Sequence, residues 1–230
     1  MTNRKNVFIW SLFDFGNSSY AVIIVAFVFA VFFKKVVAGG IPIADFYWAL
    51  AINISMIISA VLNPVCGAIA DFTFSKKKFL LAFTILCVIS TALMYFTGEG
   101  TILLALILFV FSNIGFQTGL TFYDAFMSEI SEPKDYNKVS SAGYAVGYIG
   151  SLVSVLMVFP LKDNPNLLFV LCALFFLVFS MPFFLFINEK KGEPRHTKNL
   201  IKYGFSKVAN TLRHINEYPN LRNFLLAFFF

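Results

Sequence analysis

An acidic residue inside the first apolar run is the feature of this sequence with the clearest chemistry. Asp14 lies within the run from Val7 to Phe33, and helical spacing places Asn17 and Ser18 on the same face. A carboxylate inside an apolar helix is costly, and such residues mark proton relays and solute pathways in membrane proteins. Asp14 is therefore a candidate for proton coupling. The alternative is a hydrogen bond within a helix bundle, with no role in moving a proton or a solute.

A second polar stripe occurs in the fourth apolar run. Asn113, Gln117, Thr121 and Asp124 recur at intervals of four, four and three residues, which places them on one helical face. Two polar faces at a similar depth predict a shared water-filled cavity, and the residues expected to line it are Asp14, Asn17, Ser18, Asn113, Gln117 and Thr121. The alternative is hydrogen bonding between helices, which is often worth only about 0.6 kcal/mol in membranes.

The sequence carries no signature of an enzyme, a metal site or a cofactor site. Its two histidines, His196 and His214, lie in one basic segment, and no Ser-His-Asp, HExxH or GxxxxGK[ST] pattern is present. The three cysteines, Cys66, Cys87 and Cys172, lie in apolar runs without a CxxC pair, which is typical of small packing residues. We therefore expect no catalytic residues, no bound metal and no cofactor.

The elements that must position these residues are long apolar helices. Hydrophobic residues make up 59% of the chain and charged residues 13%, whereas soluble domains have roughly 25% charged residues. Six runs approach or exceed the roughly 20 residues needed to cross a bilayer, and they are predicted at 7–33, 46–70, 79–97, 101–123, 142–161 and 167–187. The sequence thus predicts an all-α membrane protein with a six-helix bundle over residues 1–187.

The distribution of Lys and Arg predicts the orientation of the bundle. With a cytoplasmic N-terminus, 15 of the 18 basic residues fall on the cytoplasmic side, and only Lys34, Lys35 and Lys162 lie outside. Such a bias follows the positive-inside rule, so the net charge of +6 reflects topology and not binding to nucleic acid. The simple loops favour a prokaryotic cell membrane.

The segment after the sixth run is basic and contains a periodic apolar stripe. Within residues 188–222 the stripe repeats at helical spacing through Ile201, Phe205, Val208, Leu212 and Ile215. This pattern predicts an amphipathic helix in a cytoplasmic loop, lying either on the inner membrane surface or against the bundle. Residues 223–230 then open another apolar run that is too short to span a membrane, so we expect the start of a seventh helix of a larger protein.

Small residues recur on the second and fifth runs at packing intervals. One row comprises Ser55, Ser59, Asn63 and Gly67, and the other comprises Gly143, Gly147 and Ser151. Small residues at four-residue spacing let helix backbones approach closely. We therefore interpret both runs as packing helices.

The loop after the second run resembles the signature of the major facilitator superfamily between its helices two and three. In GAIADFTFSKKKF, the positions of Gly67, Asp71 and Lys76 match that signature, whereas Phe72 and Phe74 stand where Arg and Gly are expected. In that superfamily the Asp of the signature helps to lock the cytoplasmic gate. The resemblance therefore implies a gating role for Gly67, Asp71 and Lys76.

Two further stretches resemble the vacuole-effluxer-like branch, which is related to the autophagy-linked amino-acid effluxers. They are WSLFDFGNSSYAVII at residues 10–24, and FYDAFMSEIS with KVSSAGYAVGYIGS at residues 122–131 and 138–151. The resemblance implies a 12-helix secondary transporter with two six-helix halves, each built from inverted three-helix repeats. Helices one and four would line its central cavity.

The resemblance implies alternating access of a small solute, with amino acids as the candidate class and with protons as a candidate coupling ion. Its working partners would be the lipid bilayer and a C-terminal six-helix half. A second hypothesis is a six-helix protein that acts as a homodimeric channel or half-transporter. A third is a membrane scaffold or receptor without transport, which no residue pattern favours.

Overall fold

The computed structural model describes residues 2–189, 199–220, 222–223 and 227, and the regular structure in these ranges is helical. Six helical spans are long and apolar enough to cross a membrane, at Arg4–Val37, Ala44–Thr73, Lys76–Phe96, Ile102–Ile130, Pro133–Leu161 and Pro165–Phe186. They confirm the predicted class of all-α membrane protein. All six spans are longer than predicted, because helical structure continues into their polar ends.

Several spans combine helical segments of different types. The first consists of α-helix Arg4–Tyr20, π-helix Ala21–Phe27, α-helix Val28–Phe32 and π-helix Phe33–Val37. The second is the continuous α-helix Ala44–Thr73, and the sixth is Pro165–Phe186. The third span is α-helix Lys76–Leu93 followed by the 3₁₀ turn Met94–Phe96. The fourth consists of α-helices Ile102–Ala125 and Met127–Ile130. The fifth is α-helix Tyr136–Val158, flanked by the 3₁₀ turns Pro133–Asp135 and Phe159–Leu161.

The first span widens from α to π geometry at a β-branched sequence. The N–H of Val28 donates to the carbonyl of Ile23, five residues earlier. Residues 22–25 are Val, Ile, Ile and Val, and β-branched side chains lose rotamer freedom in an α-helix. The local sequence is thus a weak α-helix former at the point where the wider turn occurs.

The spans pack in a pattern that has an internal correspondence. The first span packs against the fifth and sixth, the fourth packs against the second and third, and the third also contacts the sixth. Exchanging spans one to three with spans four to six leaves this pattern unchanged. The bundle is therefore organised as two three-span repeats, an arrangement found in transporter folds.

Two glycines permit close crossings at corresponding places, one in each repeat. A Cβ on Gly16 would lie 2.9 Å from Phe179 Cβ and 3.2 Å from the carbonyl oxygen of Phe176, in the sixth span. A Cβ on Gly115 would lie 2.7 Å from the backbone nitrogen of Cys87, in the third span. Small residues allow such approach between membrane helices. Gly16 and Gly115 thus occupy corresponding places in the first and fourth spans.

Aromatic side chains fill the interior of the bundle. The fully buried Phe29 contacts Phe169 edge to face with ring centroids 5.2 Å apart, and Trp48 lies 4.3 Å from Phe109. Rings at such distances stabilise a core beyond the area that they bury. The core therefore fixes the first, second, fourth and sixth spans relative to one another.

The two ends of the bundle are named by the segments that they carry. The N-terminal face carries residues 2–3, 74–75, 131–132 and 187–189, and the opposite face carries residues 38–43, 97–101 and 162–164. Lys34 and Lys35 end the first span near the opposite face, whereas Lys76 begins the third span at the N-terminal face.

The amphipathic helix predicted within residues 188–222 occurs at Leu200–Arg213, followed by the 3₁₀ turn Ile215–Glu217. We call Leu200–Arg213 the loop helix. It packs against the second span, where Gly204 approaches Val65 and the Tyr203 ring lies 4.3 Å from that of Phe72. The sequence left open whether this helix lies on the membrane surface or against the bundle, and the structure shows contact with the bundle.

The apolar stripe of the loop helix is only partly used in this contact, because Ile201 and Phe205 are exposed. Insertion of this exposed part into the membrane surface remains a prediction. The predicted start of a seventh helix at 223–230 lies almost entirely outside the described residues.

Candidate functional site

A cavity of about 490 Å³ opens between the first, fourth and fifth spans. The first span contributes Asp14, Asn17 and Ser18 to its wall. The other two spans contribute mainly aromatic and polar side chains, among them Phe116, Tyr123, Asp124, Tyr144 and Tyr148. The cavity therefore combines two carboxylates with aromatic walls.

Asp14 is half-buried in this cavity and faces a glycine of the fifth span. A Cβ added to Gly147 would collide with Asp14 Oδ2, so only the absence of a side chain leaves room for the carboxylate. The Ser18 hydroxyl donates to the backbone carbonyl of Asp14 at 2.8 Å and not to its side chain. Among the described residues, the carboxylate has no hydrogen-bond or ion-pair partner. Asp14 is thus open to whatever enters the cavity.

An aromatic stack holds the first and fourth spans together beside Asp14. The Trp10 and Tyr123 rings are parallel, with centroids 4.4 Å apart. The Phe13 ring also stacks on Tyr123, with centroids 4.9 Å apart. Trp10 Nε1 also donates to the backbone carbonyl of Tyr123 at 3.1 Å. This stack lies about one helical turn from Asp14 toward the N-terminal face, and it fixes the wall of the cavity there.

The described lining of the cavity is acidic. It contains Asp14 and Asp124, and it contains neither Lys nor Arg. Two carboxylates in a confined and partly apolar space attract cations and favour the uptake of protons. The electrostatics therefore suit a proton or a cationic group, as far as this part of the chain defines them.

Three residues of the predicted cavity lining are not part of this wall. Asn113 is buried and its Nδ2 donates to Ser55 Oγ at 2.7 Å, between the fourth and second spans. Gln117 is half-buried, and Thr121 is exposed, with its hydroxyl 3.5 Å from the Gln117 carbonyl. The cavity face of the fourth span is offset from this stripe, and it runs through Phe116, Leu120, Tyr123 and Asp124.

Asp14 and Asn113 occupy corresponding places in the two repeats. Asp14 precedes the crossing glycine Gly16 by two residues, and Asn113 precedes Gly115 by two residues. Asn113 bonds to Ser55 of the second span, whereas Asp14 faces Gly147 of the corresponding fifth span. The short patterns Asp-x-Gly and Asn-x-Gly are the sequence signal for this relation, and periodicity alone did not reveal it.

Two of the residues assigned to a gating loop, Asp71 and Lys76, belong to an ion-pair cluster at the N-terminal face. Lys76 Nζ lies 3.2 Å from Asp71 Oδ1 and 3.4 Å from Glu129 Oε1. The Glu189 carboxylate accepts hydrogen bonds from the backbone N–H groups of Lys76, at 2.7 Å, and Lys77, at 3.2 Å. A carboxylate at a helix N-terminus satisfies free N–H groups and opposes the helix dipole. The loop is thus tied to the end of the fourth span by Glu129 and to the segment after the sixth span by Glu189, two glutamates that the sequence pattern did not identify.

Phe74 in this loop has a left-handed backbone, with φ of 50° and ψ of 54°. It stands where the signature of the superfamily has glycine, which adopts this conformation at little cost. Gly67, by contrast, lies in open space, since a Cβ there would meet no neighbouring atom of the described residues within 4 Å. Gly67 and Asp71 both line a cleft of about 690 Å³ between the second span and the loop helix.

No cluster of three or more His, Cys, Asp or Glu side chains that could hold a metal ion occurs in the part of the chain that the structure describes. The three cysteines are free thiols. The candidate site therefore rests on carboxylates, hydroxyls and aromatic rings.

Comparison with known proteins identifies related sequences. Residues 35–136 and 127–230 match the profile of the family described as vacuole effluxer Atg22 like. The chain is 32% identical, over 96% of its length, to the uncharacterized MFS-type transporter YxiO of Bacillus subtilis, and 27% identical, over 75% of its length, to an uncharacterized protein of Aquifex aeolicus. No solved structure gives a significant match.

The matched regions cover 55% and 43% of these two relatives, so the chain spans about half the length of the curated relatives that it matches. The six apolar spans make it a multi-pass integral membrane protein. The matched families are transporters, which confirms the expectation that the chain is not an enzyme. The chain belongs to the vacuole effluxer Atg22-like family of the major facilitator superfamily of membrane transporters.

Proposed function

We propose that this chain forms the N-terminal six-span half of a secondary active transporter, which moves a small solute by alternating access. The observation that carries the proposal is the half-buried carboxylate of Asp14, which has no partner among the described residues, in a cavity between the first, fourth and fifth spans. Ionisable groups inside membrane spans are costly and typically stand on an ion or solute pathway. Asn17 and Ser18 line the same wall and supply polar contacts for the solute.

Asp14 has two chemical roles in this proposal that use the same charge. It takes up and releases the coupling proton, or it binds a cationic group of the solute. An amino acid, our candidate substrate class, carries an ammonium group that suits an acidic cavity walled by Tyr144 and Tyr148, because aromatic faces also attract cations. Family membership supports a solute transporter, and the choice of amino acids is our inference.

The gate of the proposed cycle lies at the N-terminal face. Asp71 and Lys76 join the second and third spans there, and Glu129 ties them to the fourth. We assign this face to the cytoplasm because most Lys and Arg residues lie on its side of the spans. A rearrangement that opens this face must release or displace the cluster around Lys76.

The proposal is tested by Asp14→Asn in the full-length transporter, with uptake into liposomes measured between pH 5 and pH 8. Loss of the carboxylate removes a titratable group, so we expect transport to lose its pH dependence and to fall by at least about tenfold, the cost of one charged contact. Asp163→Asn is the matched control, because Asp163 is an exposed carboxylate of the opposite face. Unchanged transport of Asp14→Asn at every pH removes Asp14 from the coupling role.

Labelled amino acids presented singly in the same liposomes identify the solute. Accumulation of one class against its gradient, driven by a proton gradient, supports the proposal. The homodimeric six-span channel or half-transporter is the alternative, and the coding frame past codon 230 separates the two. A frame that encodes about six more apolar spans supports the two-half transporter, whereas a stop codon supports the homodimer.

A further inference from the structure

A second groove lies on the outer side of the bundle, between the start of the first span and the start of the fifth. Its volume is about 500 Å³. Arg4 and Lys138 lie at its end near the N-terminal face, and Val7, Phe8, Ala142 and Val146 continue its wall along the two spans. The groove uses a different face of both spans from the cavity that contains Asp14, because none of its lining residues is shared with that cavity.

The two cations of the groove, Arg4 and Lys138, form no ion pair within the described residues. Nearby Lys134, in contrast, is paired with Glu132 at 2.7 Å, and this hydrogen bond is the largest of several causes that lower the pKa of Glu132 to about 2. Arg4 and Lys138 therefore remain available to an external anion.

The one acidic residue of the groove's described lining is already engaged. Asp135 Oδ2 accepts a hydrogen bond of 2.6 Å from the Thr2 hydroxyl, and both residues line the groove beside the cations. Counting Arg4, Lys138 and Asp135, the polar end of the groove carries a net charge of +1. The Thr2 hydroxyl orients the carboxylate without removing its charge, and the excess of one positive charge at this end favours an anionic ligand.

The groove changes from charged to apolar along the membrane normal. Val146 follows Lys138 by eight residues on the fifth span, which is about 12 Å along a helix. Phe8 is 61% exposed and forms an apolar edge next to Arg4. A ligand that fills the groove must therefore have an anionic end at the membrane surface and a hydrocarbon part about 12 Å deep.

We propose that this groove binds an anionic phospholipid, with the phosphodiester held by Arg4 and Lys138 and an acyl chain lying along Ala142 and Val146. Arg and Lys bind phosphate oxygens through charge-assisted hydrogen bonds, and basic pockets between membrane helices accept anionic headgroups. The site is separate from the proposed solute route. It would couple the packing of the first and fifth spans to the lipid composition of the membrane.

The test measures phosphatidylglycerol binding to the purified full chain by native mass spectrometry, with phosphatidylcholine as the zwitterionic comparison. Each cation near a membrane surface contributes roughly fivefold in affinity for anionic lipid. We therefore expect the double variant Arg4→Gln with Lys138→Gln to bind phosphatidylglycerol about 25-fold more weakly, with phosphatidylcholine unchanged. The matched control is Lys35→Gln with Lys162→Gln, two exposed cations of the opposite face. An equal loss in the control would mean unspecific attraction and would overturn the proposal.

A second variant tests the apolar part of the groove while both cations are kept. It also provides a test that does not depend on the folding of the double variant. Ala142→Trp fills the apolar part but keeps both cations, and it is expected to abolish the preference for phosphatidylglycerol. Ala145→Trp is its control, since Ala145 is exposed on the same helix and does not line the groove. Retained preference in Ala142→Trp contradicts an acyl chain in the groove. Competition by inorganic phosphate at equal concentration would show a free-phosphate site and would also overturn the lipid assignment.

Discussion

The backbone of Phe74 stores strain at the end of the second span. An L-residue in the left-handed region costs about 1–2 kcal/mol relative to glycine, and Phe74 has φ of 50°. Its N–H still donates to the carbonyl of Ala70, so the helix ending requires this conformation. The strain is therefore local to one residue of the proposed gating loop.

Phe74→Gly is expected to be more stable than Phe74→Ala by about 1–2 kcal/mol. Both substitutions remove the partly exposed phenyl ring, so their difference reports the backbone alone. Thermal unfolding of the two purified variants in the same detergent measures it. Equal stability of the two would mean that the loop relaxes away from the left-handed conformation.

Residue types in the sequence were enough to single out Asp14, because a charge inside an apolar run has few explanations. They were not enough to place Asn113, since helical periodicity tells which residues share a face but not which neighbour that face meets. The Ser55 hydroxyl that bonds Asn113 lies 58 residues earlier in the chain. Only the packing of the second span against the fourth reveals that pair.

At the scale of elements, the two crossing glycines set the distance between spans. A Cβ at Gly115 would meet the backbone nitrogen of Cys87 and the backbone carbonyl of Phe83, both at 2.7 Å. The atoms nearest to Gly16 lie farther away, at 2.9 Å for Phe179 Cβ and 3.2 Å for the carbonyl oxygen of Phe176. Gly115 therefore fixes the approach of the third and fourth spans more rigidly than Gly16 fixes that of the first and sixth.

Gly115→Ala is expected to destabilise the bundle by about 1–3 kcal/mol, the usual cost of overpacking a close contact. Gly16→Ala should cost less, because its nearest backbone neighbour, the carbonyl oxygen of Phe176, lies at 3.2 Å and not at 2.7 Å. Gly119→Ala is the control, since its Cβ would lie 3.8 Å from Phe83 Cβ, an ordinary contact, and Ala is the better helix former. Unfolding in denaturing detergent ranks the three, and a Gly115→Ala variant as stable as Gly119→Ala would contradict the crossing.

Span positions were predictable from the sequence, but span ends and the position of the loop helix were not. Apolar runs near the length of a bilayer crossing leave little choice of structure, whereas Lys34 and Lys35 continue a helix that hydropathy alone would end. The amphipathic pattern of the loop helix indicated a helix with two faces. That pattern did not predict the close contact between Gly204 and Val65, which places the loop helix against the second span.

At the scale of the whole molecule, the charge asymmetry predicts which face lies on which side of the membrane. Lys76, Lys77 and Lys78 begin the third span at the N-terminal face, whereas the opposite face has only Lys35 and Lys162 as exposed cations among the described residues. Positive residues are retained on the cytoplasmic side during insertion. The same asymmetry predicts that the cations of the proposed lipid groove lie in the inner leaflet.

Cysteine labelling in intact cells tests this orientation. Asn137→Cys lies near the N-terminal face and Glu99→Cys lies in the loop 97–101 of the opposite face, and both positions are exposed. A membrane-impermeant maleimide is expected to label Glu99→Cys in intact cells and Asn137→Cys only after permeabilisation. The reverse pattern would place the N-terminus outside and would also move the proposed gate to the other side.

The glycine opposite Asp14 affects how strongly the Asp14 carboxylate can bind a proton or a cationic group. A carboxylate that is bonded to a neighbouring side chain must break that bond before it can accept a ligand, and the lost bond is subtracted from the affinity. Gly147 offers no side chain to Asp14, so within the described residues an arriving proton or ammonium group has no protein hydrogen bond to break at this carboxylate. In the other repeat, Nδ2 of the equivalent Asn113 already donates to Ser55 Oγ, and a ligand that would accept from this amide must first displace a protein contact. Asn113 of one repeat thus helps to hold two spans together, while Asp14 of the other repeat keeps a carboxylate that can bind and release a ligand.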